Sequence, residues 1–319
     1  MKLIGEIKEI KGKSYSYRVK VKITNTFHPS LSLPKGIGGR AFIIKRKWVY
    51  PFIPGVGSKI SIDGKEIGVE IEKVGLSNEL LSLFILPELG GRIAFIQYRD
   101  NKPIQSELLY GRDTSLVSVG ITEDLGEKTG MNSWKFEIKD RSAKSLKMEC
   151  KKKGWDIKKK ISINKNIINQ EFRIKREGRE KKADCSFSET LSFLPDIRKL
   201  SIYLPTREKV FISTTNPVVS PWHPIENFYN LTSGLIVKAG KTVIGWSTDM
   251  KDIGEVIIRE EEWLTKIIST WNKISIKKGK MRVFKTTTVI GEDFKIEKKR
   301  IGIKSSGKWL WIIEGKCVS

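Results

Sequence analysis

Along most of this chain apolar and polar residues alternate with a period of two, and no stretch of helical length carries a clean apolar stripe of period 3.6. Residues 15–23, YSYRVKVKI, alternate apolar with basic side chains as a half-exposed strand should. Residues 58–69 read as a hairpin in which Asp63-Gly64 supplies the left-handed turn. The stretch 84–120 organises the rest. An apolar run at Phe84, Ile85 and Leu86 ends at Pro87, Gly90-Gly91 turns the chain, a second strand follows at 93–98, and a polar turn at 100–102 leads to a third near Leu108, Leu109 and Tyr110. Residues 145–150, 155–163 and 167–175 make an antiparallel meander whose turns fall at Gly154 and Asn164-Lys165-Asn166.

Residues 186–230 are richer in Ser, Pro and Asn and read as long connections. Strands return at 235–237, 243–246, 256–259, 267–276, 281–289 and 309–313. The best helix candidate, 249–262, is short and interrupted by Gly254. The pattern predicts a mainly β protein, too long for a minimal sandwich. Residues 1–75 are expected to form a small N-terminal β domain or an extension of the main sheets, and residues 76–319 one large antiparallel β domain. The Gly-Gly-Arg turns at Gly38 and Gly90 echo each other, but nothing else recurs at that spacing, so no repeat architecture is expected.

Composition narrows the function classes. A chain of 319 residues with 39% hydrophobic content can bury a core. No apolar run approaches the roughly 20 residues of a membrane helix, and the charges scattered through residues 1–16 argue against a signal peptide. A cytoplasmic protein is expected. Cys150, Cys185 and Cys317 are odd in number and far apart, and His28 and His223 are isolated, so neither a disulfide framework nor a metal centre is expected. Abundant Lys, Glu and Ile with few Gln, His, Cys and Met match a hot environment, or equally an AT-rich genome.

The net charge of +24 is the largest anomaly. Its densest patch is the hairpin of Lys151, Lys152, Lys153, Lys158, Lys159 and Lys160 around Trp155, a combination that holds nucleic acid by charge and stacking, or equally coats a solvated hairpin and guards a sheet edge.

The most site-like cluster is Trp222-His223-Pro224-Ile225-Glu226-Asn227-Phe228-Tyr229. It brings together a titratable imidazole, a carboxylate and aromatic faces suited to a sugar ring, on a connection between strands. Glu123 and Asp124 alternate in direction if they share a strand, whereas on the loop that Gly120 and Gly126 suggest either one lines a cleft or faces solvent. Arg92, next to Gly90-Gly91, offers a planar fork to a carboxylate, to hydroxyls or to a neighbouring loop. Glu255, Glu260, Glu261 and Glu262 form an acidic spot that offers a general base or, as is commoner, pairing with nearby lysines at the surface. Phosphate-loop, dinucleotide and nucleophile-elbow motifs are absent.

Leu86-Pro87-Glu88-Leu89-Gly90-Gly91-Arg92-Ile93, followed by an apolar strand and Glu107-Leu108-Leu109-Tyr110, resembles the early strands of galactose mutarotase-like proteins. The resemblance covers residues 76 to about 315 and implies a large antiparallel β-supersandwich with a sugar or oligosaccharide as ligand and no cofactor. It implies proton transfer on a sugar, with an acid at the ring oxygen and a base for the anomeric proton. The expected set is His223 as acid, Glu226 or Glu123 as base, and Arg92, Trp222, Tyr229 and Asp124 as binding residues. The stretch 184–193, DCSFSETLSF, lacks the histidine usual in such epimerases, so sugar binding and proton transfer both stand as expectations.

Overall fold

The computed structural model describes residues 4–9, 15–25, 42–44, 47–49, 59–62, 65–87, 90–99, 109–112, 115–118, 121–125, 131, 134–179, 182–193, 200–206, 209–215, 225–231, 234–249, 253–261, 264–297, 300–313 and 316–318. Six strands precede the opening motif: β1 (Ile4–Glu9), β2 (Tyr15–Asn25), β3 (Phe42–Ile44), β4 (Lys47–Val49), β5 (Lys59–Ile62) and β6 (Lys65–Ser77). The motif itself gives β7 (Leu81–Leu86) and β8 (Arg92–Tyr98), then β9 (Leu109–Arg112), β10 (Ser115–Ser118) and β11 (Ile121–Asp124). The meander is β12 (Glu137–Arg141), β13 (Ser145–Lys152), β14 (Trp155–Asn164) and β15 (Ile167–Arg176), continued by β16 (Lys182–Phe193). Next come β17 (Leu200–Pro205), β18 (Val210–Thr215), β19 (Ile225–Leu231), β20 (Gly234–Ala239), β21 (Thr242–Thr248), β22 (Ile253–Glu261), β23 (Leu264–Lys277) and β24 (Met281–Gly291). The chain closes with β25 (Asp293–Glu297), β26 (Arg300–Ser305), β27 (Lys308–Ile313) and β28 (Lys316–Val318).

Two large sheets carry the architecture. One has eleven strands in the order β1-β2-β5-β6-β7-β8-β11-β16-β23-β22-β19, the other nine in the order β12-β13-β14-β15-β24-β21-β20-β17-β18. Every pairing of both is antiparallel except β2 with β5. One apolar core joins them. It takes Ile85, Ile93, Ile121, Phe187 and Leu191 from the first sheet and Ile161, Ile168, Phe172 and Trp246 from the second. This is a sandwich of two sheets, each alternating inward and outward residues. Strand β6 is shared, pairing with β2 over residues 67–75 and with β7 over 74–77.

A third layer lies outside the nine-stranded sheet. Strands β25 to β28 form their own sheet, and Ile301, Ile303 and Ile312 from it pack on Ile236, Val243 and Val289. Gly245 makes this approach possible, because a Cβ there would stand 2.8 Å from Ile303 and 3.0 Å from Ile312. Tyr98 ties the layer to the first sheet through its hydroxyl, 2.9 Å from that of Ser305, and Arg99 pairs with Glu292 at 2.7 Å.

Two sequence expectations change, and a third is settled. The strand read at 256–259 extends over 253–261 as β22 and replaces the interrupted helix candidate there. Val256 and Ile258 point into the core, and the strand is held on both sides by β19 and β23. The third strand of the opening unit, β9, pairs with β10 in a separate two-stranded sheet, and β8 instead takes β11 as its neighbour. The basic hairpin is not wholly solvent-facing. Lys151, Lys152, Lys153, Lys158 and Lys160 are exposed, but the period of two turns Lys159 inward to 1% exposure, and Trp155 is 7% exposed. Neither Lys159 nor Trp155 is therefore available to grip a nucleic acid strand.

Candidate functional site: a polar layer inside the sandwich

Between the two sheets, the core contains one polar layer. On the first sheet Glu123, Glu189 and Ser269 lie side by side on β11, β16 and β23, at 2%, 1% and 2% exposure. Facing them, Gln170, Thr286 and Thr248 lie side by side on β15, β24 and β21, all likewise buried. The row to one side is aliphatic: Ile93, Ile121, Leu191, Ile267 and Ile258. The row to the other side is aromatic, with Phe187 stacked on Phe284 at 4.8 Å and tilted against Trp271 and Phe172.

Direct bonds cross the sandwich within this layer. Lys159 on β14 donates to Glu123 Oε2 at 2.6 Å, with both side chains closed to water. The indole N–H of Trp246 donates to Glu189 Oε1 at 2.7 Å, and Gln170 Nε2 reaches the same oxygen at 3.4 Å and Thr286 Oγ1 at 3.4 Å. The Lys159 ammonium also lies 4.9 Å from the Phe172 ring. Arg92 sits at the start of β8, 1% exposed, and its charge acts on Glu123.

The opening motif explains why these groups meet. Gly90 and Gly91 adopt φ of 76° and 60°, the left-handed region that glycine enters without strain. The turn is pinned where the Gly90 N–H donates to the Trp134 carbonyl at 2.8 Å. A Cβ on Gly91 would come within 3.0 Å of Met148 and 3.6 Å of the Lys159 stem. Gly91 thus lets the turn sit tightly on Met148, with the Lys159 stem at ordinary contact beside it.

Electrostatics separate the two carboxyls. Burial pushes Glu189 up to about 8, the neighbouring Glu123 adds to the rise, and the bonds from Trp246 and Thr286 only partly offset it. Burial also raises Glu123, but there Lys159, Gln170 and Arg92 pull the other way. Lys159 is lowered by the same loss of water and supported by Glu123. Arg92 is lowered to about 9 by burial. At neutral pH Glu189 holds a proton, and Glu123 is the carboxyl with a cation in contact, which opposes its rise.

The layer is also short of hydrogen-bond partners. Glu123 Oε1, Glu189 Oε2, Gln170 Oε1 and the indole N–H of Trp271 have none. Leaving a buried polar group unmatched costs about 1–3 kcal/mol, so four in one region mark a place built to meet further polar atoms. Two shallow depressions among the described residues, about 530 Å³ along residues 135–141 and about 480 Å³ around residues 78–82, Gln97 and Arg99, do not touch it. Among the described residues, no three His, Cys, Asp or Glu side chains are grouped to hold a metal ion.

Of the residues expected from sequence, Arg92 and Glu123 come together here. Glu123 lies on strand β11 rather than on a loop, and alternation turns Asp124 to the half-buried side, where its carboxylate accepts the Leu125 N–H at 2.7 Å. Glu226 and Tyr229 lie on β19, the last strand of the eleven-stranded sheet, opposite Ile258 and Glu255. Four strand steps separate β19 from β11, about 19 Å of sheet. Trp222 and His223 lie outside the described residues. Sequence reading missed Glu189, Lys159, Gln170 and Trp246. Glu189 alone left a trace, as the single acid in the otherwise small and apolar run SFSETLSF.

No protein-family model matches the chain, and no curated protein sequence matches it. Solved structures do. A putative aldose 1-epimerase from Escherichia coli K12 aligns with a TM-score of 0.53 at 10% identity, covering 69% of this chain and 98% of that one. A galactose mutarotase-like protein from Lactobacillus casei aligns with a TM-score of 0.51 at 8% identity, covering 68% and 99%. A putative aldose 1-epimerase from Klebsiella pneumoniae, at TM-score 0.50 and 8% identity, covers 91% of this chain and 87% of its own. The chain has the galactose mutarotase-like fold, a large antiparallel β-supersandwich.

Proposed function

We propose that the protein is carbohydrate-active, binding a sugar at the polar layer and moving protons between its ring oxygen and anomeric hydroxyl. The observation that carries this reading is the pair Glu123 and Glu189. Two carboxyls stand side by side, one kept neutral and one held against a lysine, with unmatched oxygens on both. Neighbouring carboxyls placed in contrasting surroundings, one against a cation and one among neutral donors, are the general pattern of acid and base assignment.

In this scheme Glu189 gives its proton to the ring oxygen as the bond from that oxygen to the anomeric carbon breaks. Glu123 takes the proton of the anomeric hydroxyl, whose oxygen becomes the aldehyde carbonyl. Reclosure on the other face returns both protons, so atoms and charge balance. Lys159 holds the Glu123 charge in place, Gln170 and Trp246 fix the Glu189 carboxyl, and the Trp271 N–H is a free donor for a hydroxyl. The role expected of Glu123 is kept, while Glu189 takes the place given to His223. Because the layer is closed to water, a sugar reaches it only with local movement of the surrounding side chains or strands, and slow association is expected.

The test is mutarotation of a panel of neutral and acidic monosaccharides, followed by polarimetry, with thermal melting in their presence. Acceleration by the wild type and a loss of about 10²–10⁴-fold in Glu189→Gln, with the fold retained, support the reading. Absence of both acceleration and any melting shift across the panel overturns it.

A further inference from the structure

The C-terminal sheet turns one face to the sandwich and the other outward. Ile301, Ile303 and Ile312 take the inner face, so Trp309 and Trp311 on β27, Gly302 on β26 and Lys295 on β25 share the outer one. The two tryptophans are two residues apart, about 7 Å along the strand, and both are half-buried. Gly302 lets the rings lie down across the sheet. A Cβ there would stand 3.1 Å from the Trp311 ring and 3.3 Å from the Trp309 ring.

Cations are laid on this aromatic floor. The Lys295 ammonium is 4.8 Å from the Trp309 ring centre and 4.4 Å from that of Trp311, and the Arg300 guanidinium is 4.3 Å from Trp311. Glu297 holds both heads, at 3.1 Å from Lys295 and 2.6 Å from Arg300. Between 39% and 50% of each of these three charged side chains remains exposed. The result is a fixed, outward-facing group of two cations and one carboxylate on a tryptophan base.

We propose that this outer face, built on Trp309 and Trp311, is a binding surface for an acidic glycan, a polysaccharide that carries carboxylates along its chain. The two cations match a sugar carboxylate, with Arg300 offering a planar fork. The Glu297 carboxylate accepts sugar hydroxyls, and the tryptophan floor holds the two cations facing outward. The same features disfavour single-stranded nucleic acid. Its bases need open ring faces, which Lys295 and Arg300 cover, and its phosphates would meet Glu297. The net charge of +24 draws any polyanion toward the protein, but the arrangement on β25 to β27 decides where one with hydroxyls settles. This surface is separate from the polar layer inside the sandwich and stands whether or not that layer is catalytic.

The experiment is affinity electrophoresis of the full chain through native gels containing polygalacturonate, the neutral polymer pullulan, or oligothymidylate. Retardation by polygalacturonate but not by pullulan is expected. It should weaken at least tenfold in the charge-neutral double variant Trp309→Ala/Trp311→Ala, and several-fold in Lys295→Gln, an exposed change that leaves the rings and the fold in place. The triple variant Lys151→Gln/Lys152→Gln/Lys153→Gln, which removes three charges elsewhere, should keep most of the binding. The proposal is overturned if polygalacturonate gives no retardation. It is equally overturned if the triple variant loses as much as Lys295→Gln, which marks bulk charge, or if oligothymidylate binds more tightly through the same residues, which marks a nucleic-acid surface.

Discussion

Glu123 and Glu189 stand directly opposite each other on the antiparallel strands β11 and β16, both inside the core. Cross-strand neighbours have Cβ atoms about 5 Å apart, and like charges in such positions repel. The fold tolerates the pair because each carboxyl is managed from the facing sheet: Glu123 by the ammonium of Lys159, Glu189 by the neutral donors Trp246 and Gln170. Only one of the two is supplied with a cation in contact, and the other answers by holding its proton.

Stability should therefore fall on the alkaline side. The Glu189 carboxyl is raised in the folded state from an ordinary 4.5 to about 8. The folded chain then binds more protons than the unfolded one between those values, so its contribution is full below pH 4.5 and is lost as pH rises through about 8. Urea denaturation from pH 5 to 9 should show wild type losing on the order of a few kcal/mol, with the loss largely absent in Glu189→Gln. Parallel pH profiles for the two proteins would remove this assignment.

Trp246 tunes that titration. Its N–H bond to Glu189 Oε1 favours the charged carboxyl. In Trp246→Phe the alkaline midpoint should move to higher pH, and stability near neutral pH should drop by about 1–3 kcal/mol for the smaller ring and the lost bond. Paired pH titrations of the melting temperature read both effects at once.

The Lys159–Glu123 pair should show strong coupling. Lys159→Met leaves a buried carboxylate without its cation, at a cost of about 3–5 kcal/mol. Lys159→Met/Glu123→Gln removes both charges and should recover most of that cost. A double-mutant cycle by urea unfolding measures the coupling, and additive losses would show that the two side chains act independently.

The outer layer depends on a notch. Gly245→Ala places a methyl group 2.8 Å from Ile303 in a packed interface and should destabilise by about 1–3 kcal/mol. Pairing it with Ile303→Val, which frees volume at the contact, should return part of the loss. Gly245→Ala with unchanged unfolding would mean that the third layer docks loosely.

Strand existence was legible because alternation is local. The meander of β13, β14 and β15 falls within one or two residues of its sequence-read bounds, since each turn announces itself with Gly154 or with Lys165-Asn166. Strand β22 was legible only at 256–259, because Gly254 and the run of acids describe a poor helix as readily as a strand, and its pairing with β19 and β23 sets its full length. Of the candidate polar layer, Arg92 and Glu123 stood out in the sequence by their motif and their charge, whereas Lys159 was hidden among six lysines of which it alone is inward and ion-paired across the core.

The sequence by itself determined the predominantly β character and the turn at Gly90-Gly91, because dihedral preference and side-chain period are properties of neighbouring residues. Only the tertiary structure decided that Glu123, Lys159, Gln170, Glu189 and Trp246 share one dry layer, and that Gly245 and Gly302 mark opposite faces of the C-terminal sheet as core and surface. Those relations join residues tens to hundreds of positions apart. Their energetics come from the loss of water between two sheets, a quantity that exists only once both are in place.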